Sequence, residues 1–247
     1  MVAQPNNVKN FFQTGLNLNN TVAFTSGGES HNFRLTYGNQ QRTLVVPNAN
    51  RDQHQLGVNG SFDVGKKLTV STDITYTTSY TKGAPTEGYD LTGLNVTQNF
   101  NQWFQRQLDM ERMKQYREAD GSLNSWNIGD PNATGDFATY GIPQYWDNPY
   151  FVVAENFRTQ KLNRIVGNVG LNYKVNSHLN IQSNARMNSY TNENDGRMAT
   201  GSLTLPYYTQ LQNQYKEMNY ETNIVYKNKF GDFSVDGLAG GNIRRNS

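Results

Sequence analysis

Long runs of alternating apolar and polar residues constrain this chain more than any other feature. Ile165, Gly167, Val169, Leu171, Tyr173 and Val175 fall on one side of a period-two pattern. Asn168, Gly170, Asn172 and Lys174 fall on the other, with Val166 the exception. Period two is the signature of a β-strand with one apolar face. After Asn176-Ser177, Leu179, Ile181, Ala185 and Met187 alternate with Asn180, Gln182, Asn184, Arg186 and Asn188. So short a turn cannot carry a crossover, so the two strands form an antiparallel hairpin.

The same unit recurs along the chain. Val22 and Phe24 precede a Gly27-Gly28-Glu29-Ser30 turn, and Phe33, Leu35 and Tyr37 follow it. Leu56, Val58, Phe62 and Val64 lead to Gly65-Lys66-Lys67, and Leu68, Val70, Ile74, Tyr76 and Tyr80 come after. Tyr220, Thr222, Ile224 and Tyr226 run into Phe230-Gly231-Asp232, then Phe233 and Val235. About eight strands of roughly ten residues or more result, long enough to cross a bilayer when tilted. Tight turns near 26–30, 65–67, 176–177 and 230–232 alternate with longer connections near 39–50, 82–158 and 191–213. Short turns at one end and long loops at the other are the habit of outer-membrane barrels. Tyr37, Tyr80, Tyr173, Tyr190, Tyr226 and Phe230 lie near strand ends, where aromatic girdles form; the plain alternative is that tyrosine suits strands anyway.

Composition narrows the functional classes. Among 247 residues there is no Cys, which excludes disulfides, thiol nucleophiles and thiolate metal sites. A net charge of +2 leaves no electrostatic footprint for nucleic acid. No run of 18 or more apolar residues exists, so no transmembrane helix is expected, although strands that cross a membrane escape that criterion. His31, His54 and His178 are scattered without metal-ligand spacing, and no nucleotide-binding, serine-hydrolase or zinc-protease motif occurs. Neither an enzyme nor a cofactor or metal is expected. Asp130, Asn132, Thr134 and Gly135 match the start of a calcium loop, but Gly141 stands where its glutamate belongs. Met1 to Asn7 carries neither the basic stretch nor the apolar core of a secretory leader. The chain therefore reads as an internal piece of something longer.

Within the 82–158 connection, Phe100, Trp103, Phe104, Leu108 and Met110 recur at helical spacing, and Arg112, Lys114 and Arg117 suit a helix C-terminus. A helix over Val96 to Arg117 is expected, closed by Ala119-Asp120-Gly121-Ser122.

Several stretches together resemble the SusC/RagA class of TonB-linked outer-membrane transporters of Bacteroidetes-type bacteria. They are Asn7-Val8-Lys9-Asn10-Phe11-Phe12-Gln13-Thr14-Gly15 and Ser26-Gly27-Gly28-Glu29 with Asn32 to Tyr37. Phe100 to Asp109, Trp146-Asp147-Asn148-Pro149-Tyr150 and Asn163-Arg164-Ile165-Val166-Gly167 complete the ordered set. The resemblance implies an all-β, antiparallel, up-and-down transmembrane β-barrel segment, about eight strands of a larger barrel of roughly 22. The family's plug domain and coupling box have no counterpart here. It further implies an outer-membrane location, contact with outer-membrane lipid, a SusD-like lipoprotein lid, and coupling to the TonB complex through a plug region. The 82–158 loop, with Trp103 and Phe104, would face the lid. Gated import of oligosaccharides or peptides is the implied activity.

The outer loop also carries the richest candidate binding set: Trp126, Tyr140, Tyr145, Trp146, Tyr150 and Asn148. Aromatic faces stack on sugar rings and amides bind hydroxyls; the competing reading packs these rings onto the loop's own helix. Arg164, Asn168, Asn172, Asn184 and Arg186 share the polar face and are candidates to line a lumen. Two other architectures fit the same alternation: a soluble or surface-exposed glycan-binding β-module, and a small closed barrel acting as adhesin or pore.

Overall fold

The computed structural model describes residues 3–84, 86–90, 93–101, 104–127 and 143–247. Eight strands form one antiparallel sheet in the order β1-β2-β3-β4-β5-β6-β7-β8, each paired with its sequence neighbour. They are β1 (Leu16–Gly28), β2 (His31–Thr43), β3 (Asn50–Val64), β4 (Leu68–Lys82), β5 (Phe157–Lys174), β6 (Leu179–Met198), β7 (Tyr207–Phe230) and β8 (Phe233–Asn246). Each pairing runs without a bulge; β5 and β6, for example, hold register from Phe157↔Arg197 to Lys174↔Asn180. Gly65 and Gly231 sit at positive φ in two of the tight turns, where other residues are strained. β1 and β8 do not pair with each other, so the sheet is open at both edges. This sets aside the small closed barrel.

Unbroken register fixes which side chains share a face. One face carries Val22 and Phe24, Phe33 and Leu35, Leu56 and Phe62, Val70 and Ile74, Ile165 to Tyr173, Ile181 and Met187, Tyr220 and Ile224, and Val235 and Ile243. Many of these are open to the surroundings; Val22 is 70% exposed and Phe233 78%. From Ile165 to Tyr173 the apolar band runs about 27 Å along the strand at roughly 3.4 Å per residue. At the ~40° tilt of membrane-barrel strands it stands roughly 21 Å tall, close to their ~25 Å outward band. In water so large a continuous apolar face would be an aggregation surface. Tyr37, Tyr80, Tyr173, Tyr226 and Phe230 lie on this face. Tyr190 does not: it pairs with Arg164 and Tyr215 on the polar face.

The strands outrun the band. Two connections are therefore shorter than the alternation suggests: 44–49 in place of 39–50, and 199–206 in place of 191–213. The cause is loss of contrast. Beyond the band, Asn39, Gln41, Gln210, Gln212 and Gln214 continue the same face, so both faces are polar while the backbone ladder continues.

The expected helix over Val96 to Arg117 is instead two short ones, α2 (Val96–Asn101) and α3 (Met110–Lys114). Asp109 restarts the helix, its side chain accepting a hydrogen bond from the Glu111 N–H. With α1 (Asn7–Phe11) and α4 (Pro149–Glu155), these helices sit at the long-connection end. The compact apolar cores among the described residues lie there, outside the sheet. Phe11 from α1, Val46 and Ala49 from the β2–β3 connection, and Phe100, Met110, Met113 and Val152 from the long loop pack together. Each such burial contributes about 1.5–3 kcal/mol for a large side chain, which holds a long loop in one shape.

Candidate functional site

The polar face is built by the residues that alternate with the lipid-type band. Arg164, Asn168, Asn172, Asn184 and Arg186 all lie on it. Asn168 stands directly opposite Arg186, and Gly170 opposite Asn184. Continuing across the sheet, Arg186 faces Asn219, and Asn219 faces Arg244. Arg164 donates from Nε to Asn188 Oδ1 at 3.2 Å.

Two diagonal ion pairs cross this row. Arg186 Nη1 donates to Glu221 Oε2 at 2.8 Å, and Arg244 Nη2 donates to Glu217 Oε2 at 2.5 Å. The Tyr215 hydroxyl also donates to Glu217 Oε2, at 2.6 Å. Tyr190 and Tyr215 stack with centroids 5.4 Å apart and planes 25° apart. Asn219 and Asn242 exchange amide hydrogen bonds of 3.1 and 2.8 Å. A groove of about 800 Å³ runs over this lattice, lined by Asp73, Asn168, Arg186, Glu217, Asn219 and Glu221 among others. Exposed ion pairs contribute little to stability, about 0–1 kcal/mol each, so the lattice shapes the field of the groove more than it holds the sheet. Glu217, Glu221, Arg244 and the Tyr190–Tyr215 pair escaped the sequence reading. Period two keeps Met218, Tyr220 and Thr222 on one side, which would have put Glu217, Asn219 and Glu221 on the polar one.

The long loop treats its candidate residues differently. Tyr150 is buried against Phe11, with ring centroids 5.2 Å apart. Burial pushes its hydroxyl up to about 12. Asn148 is 2% exposed and caps α4, its Oδ1 accepting from the Tyr150 N–H at 2.9 Å. Its amide donates to Met113 O at 2.9 Å and Asn124 O at 2.7 Å. Both residues are structural members of the loop core, not a surface for a ligand; Pro149 and the asparagine cap set α4 there. Phe104 is likewise buried, edge-on to Phe100 at 5.0 Å and to Trp126 at 5.6 Å. It holds the loop together from inside instead of facing a partner. Asn127 Oδ1 gathers the N–H groups of Gln144, Tyr145 and Trp146, which fixes the backbone under two aromatics. Tyr145 is 58% exposed. Trp103, Tyr140 and the calcium-like run at 130–141 lie outside the described residues.

Asp147 joins the long loop to the β6–β7 connection. Its carboxylate accepts from the Ser202 hydroxyl at 2.5 Å and the Leu203 N–H at 3.1 Å. Burial raises its pKa, opposed by these two hydrogen bonds. Asn156 adds a second tie, accepting from the Ala199 N–H at 2.8 Å.

No protein-family model and no curated protein matches the chain. Solved structures do. The RagAB peptide transporter matches with a TM-score of 0.65 at 12% identity, over 99% of this chain and 26% of that one. The RagAB peptide importer in its closed-closed state gives 0.61 at 13% identity, over 99% and 27%. Its open-open state gives 0.57 at 13% identity, over 97% and 26%. The fold matches part of the barrel wall of these transporters. At such identities the likeness concerns fold alone. The wall spans about a quarter of the length of the chains it matches. The apolar band occupies one face of this sheet, and Arg186 and Glu221 occupy the other.

Proposed function

We propose that the chain supplies barrel wall and outer loops to an outer-membrane, TonB-dependent importer of oligosaccharides or peptides. The observation that carries this reading is the pairing of an exposed apolar band with a polar, ion-paired opposite face on one unbroken meander. Lipid covers the first and a watery lumen fills the second. A SusD-like lipoprotein closes the outer end, and a plug region outside this chain links it to the TonB complex. Among the described candidate loop residues, Tyr145 is the one best presented to a lid or a substrate. The wall does no bond chemistry; it orients solute by hydrogen bonds and charge.

A soluble glycan-binding module is the rival, and the exposed band counts against it. Fractionation separates the two. The protein carrying this chain should pellet with outer membranes, leave them only with detergent, and bring a lipoprotein with it. Recovery as a monomer in plain buffer, with cooperative unfolding, would overturn the transporter reading.

A further inference from the structure

The charges on the apolar face all lie at one end of it. Toward the tight turns the face ends in Val64, Leu68, Tyr173, Leu179, Phe230 and Phe233, and no Lys, Arg, Asp or Glu occupies a strand position there. Toward the long connections the same face carries Lys82, Lys161, Arg197, Lys216 and Arg245, against Asp52, Glu193 and Asp195. On β4, β5, β7 and β8 the first charged residue beyond the band is a cation: Lys82, Lys161, Lys216 and Arg245. The edge of the band steps steadily in register. Tyr80 is level with Lys161, Met218 is level through Met187 with Gly167, and Ile243 is level through Tyr220 and Ala185 with Val169. Strands tilted in a barrel wall give such a slope, so the four cations follow one line along the rim of the band.

This rim is densest over β4–β6. The Lys82 ammonium lies 4.7 Å from the centre of the Phe157 ring, and the Arg197 guanidinium carbon 6.0 Å from it. One aromatic ring thus holds two cations near each other. Lys161 stands two residues along β5 from Thr159, the partner of Lys82, a same-face diagonal of about 7–8 Å. Arg197 keeps a 3.6 Å contact to Glu155 Oε2. Among the described residues no carboxylate makes an ion pair with Lys82 or Lys161. Two of the three anions on the face are engaged within the sheet: Asp52 by His54 at 3.3 Å, and Asp195 by the Thr159 hydroxyl at 3.4 Å.

We propose that Lys82, Lys161 and Arg197 form a binding site for the phosphorylated headgroup of the outer-leaflet glycolipid. The proposal rests on the apolar band facing lipid. Cations one step beyond that band stand at headgroup depth, where ammonium and guanidinium groups donate to phosphate oxygens. The bare opposite end selects the source of the phosphate. A leaflet of ordinary phospholipid at each end would favour cations equally at both. Cations at the long-connection end alone match a leaflet of higher negative charge, and a phosphate monoester carries about −1.5 to −2 near neutral pH. The Phe157 ring takes the apolar side of a sugar or the start of an acyl chain.

The test uses the full-length protein extracted from its membranes, stripped of lipid by detergent exchange. Native mass spectrometry then reads bound lipid after lipid A is added. Wild type should bind lipid A at least fivefold more tightly than phosphatase-treated lipid A or phosphatidylglycerol. Lys82→Gln, Lys161→Gln and Arg197→Gln together should remove that preference. Lys66→Gln, Lys174→Gln and Lys229→Gln, an equal change of charge at the tight-turn end, should leave it intact. Should the rim triple variant fail to fold, Lys161→Gln alone, an exposed side chain, should still cut the preference at least twofold. Equal binding of the treated lipid or of phosphatidylglycerol by wild type overturns the proposal. So does an unchanged preference in the rim variants, or an equal loss in the tight-turn triple. These outcomes leave membrane fractionation untouched, so the transporter reading stands or falls separately.

Discussion

Asn148 is the residue whose replacement tests the loop architecture most sharply. Its side chain makes three hydrogen bonds in a site 2% exposed: one accepted from Tyr150 N and two donated, to Met113 O and Asn124 O. Asn148→Ala removes a helix cap, worth about 1 kcal/mol. It also strips a donor from two buried carbonyls, at about 1–2 kcal/mol each. The sum is about 3–5 kcal/mol, or roughly two to three and a half decades in a local opening constant. Asn148→Asp separates the contributions. Aspartate caps a helix as well as asparagine does, so a residue acting only as a cap would tolerate it. Here it turns a carboxylate oxygen toward two carbonyl oxygens and buries an unpaired charge, so it should cost at least as much as alanine. Hydrogen exchange on the detergent-extracted protein reads this directly. Segments 110–127 and 143–156 should lose protection in both variants while β4 and β5 keep theirs. An aspartate variant within about 0.5 kcal/mol of wild type, a difference too small for the buried donors to matter, would refute the reasoning.

Position on the sheet sets the cost of charge. Val169→Arg, mid-band on the outward face, should destabilise the lipid-embedded protein by about 2–4 kcal/mol in urea titrations, and Thr75→Arg on the inner face by far less; equal costs would reverse the assignment of faces. Tyr150→Ala should lose about 3–5 kcal/mol of loop stability, whereas Tyr150→Phe gives up only a 3.4 Å hydroxyl contact to Asn10 O and should cost under about 1 kcal/mol. A large defect in Tyr150→Phe, measured by the same exchange, would mean that the hydroxyl has a role beyond packing. For Asp147 the folded pKa lies above the ordinary 3.8 because of burial, so between those two values the folded loop holds the proton more tightly than the unfolded one. Docking of segment 199–206 should weaken as pH rises through that window, and Asp147→Asn should flatten the dependence once intrinsic exchange is corrected for. Gly60→Ala should loosen the β2–β3 pairing, because a Cβ there would sit 2.7 Å from Asn32 O; unchanged urea stability would show that the backbone shifts freely.

Alternation alone placed the strands and assigned nearly every residue from Val169 to Met187 to its face, because a period of two survives any packing detail. It placed Tyr190 wrongly, since a tyrosine near a strand end looks the same whether it anchors to lipid or faces inward. Register, a property of paired strands, decided that question. The helical spacing from Phe100 to Met110 likewise reported a shared apolar side but not the break at Asp109, where a cap competes with helix continuation. Trp126, Asn148 and Tyr150 carry the same side-chain chemistry in a binding surface as in a core. Only the packing of Phe11, Val46 and Met113 around them, drawn from distant parts of the chain, settles which it is.

The sequence by itself determined an antiparallel meander with one apolar and one polar face, because side-chain periodicity is local. Tertiary structure alone decided that β1 and β8 remain apart, that the outer loops own the compact cores, and that Arg186, Glu217 and Glu221 line one groove. These depend on contacts across strands and between segments as distant as Asn10 and Tyr150, which no local pattern encodes.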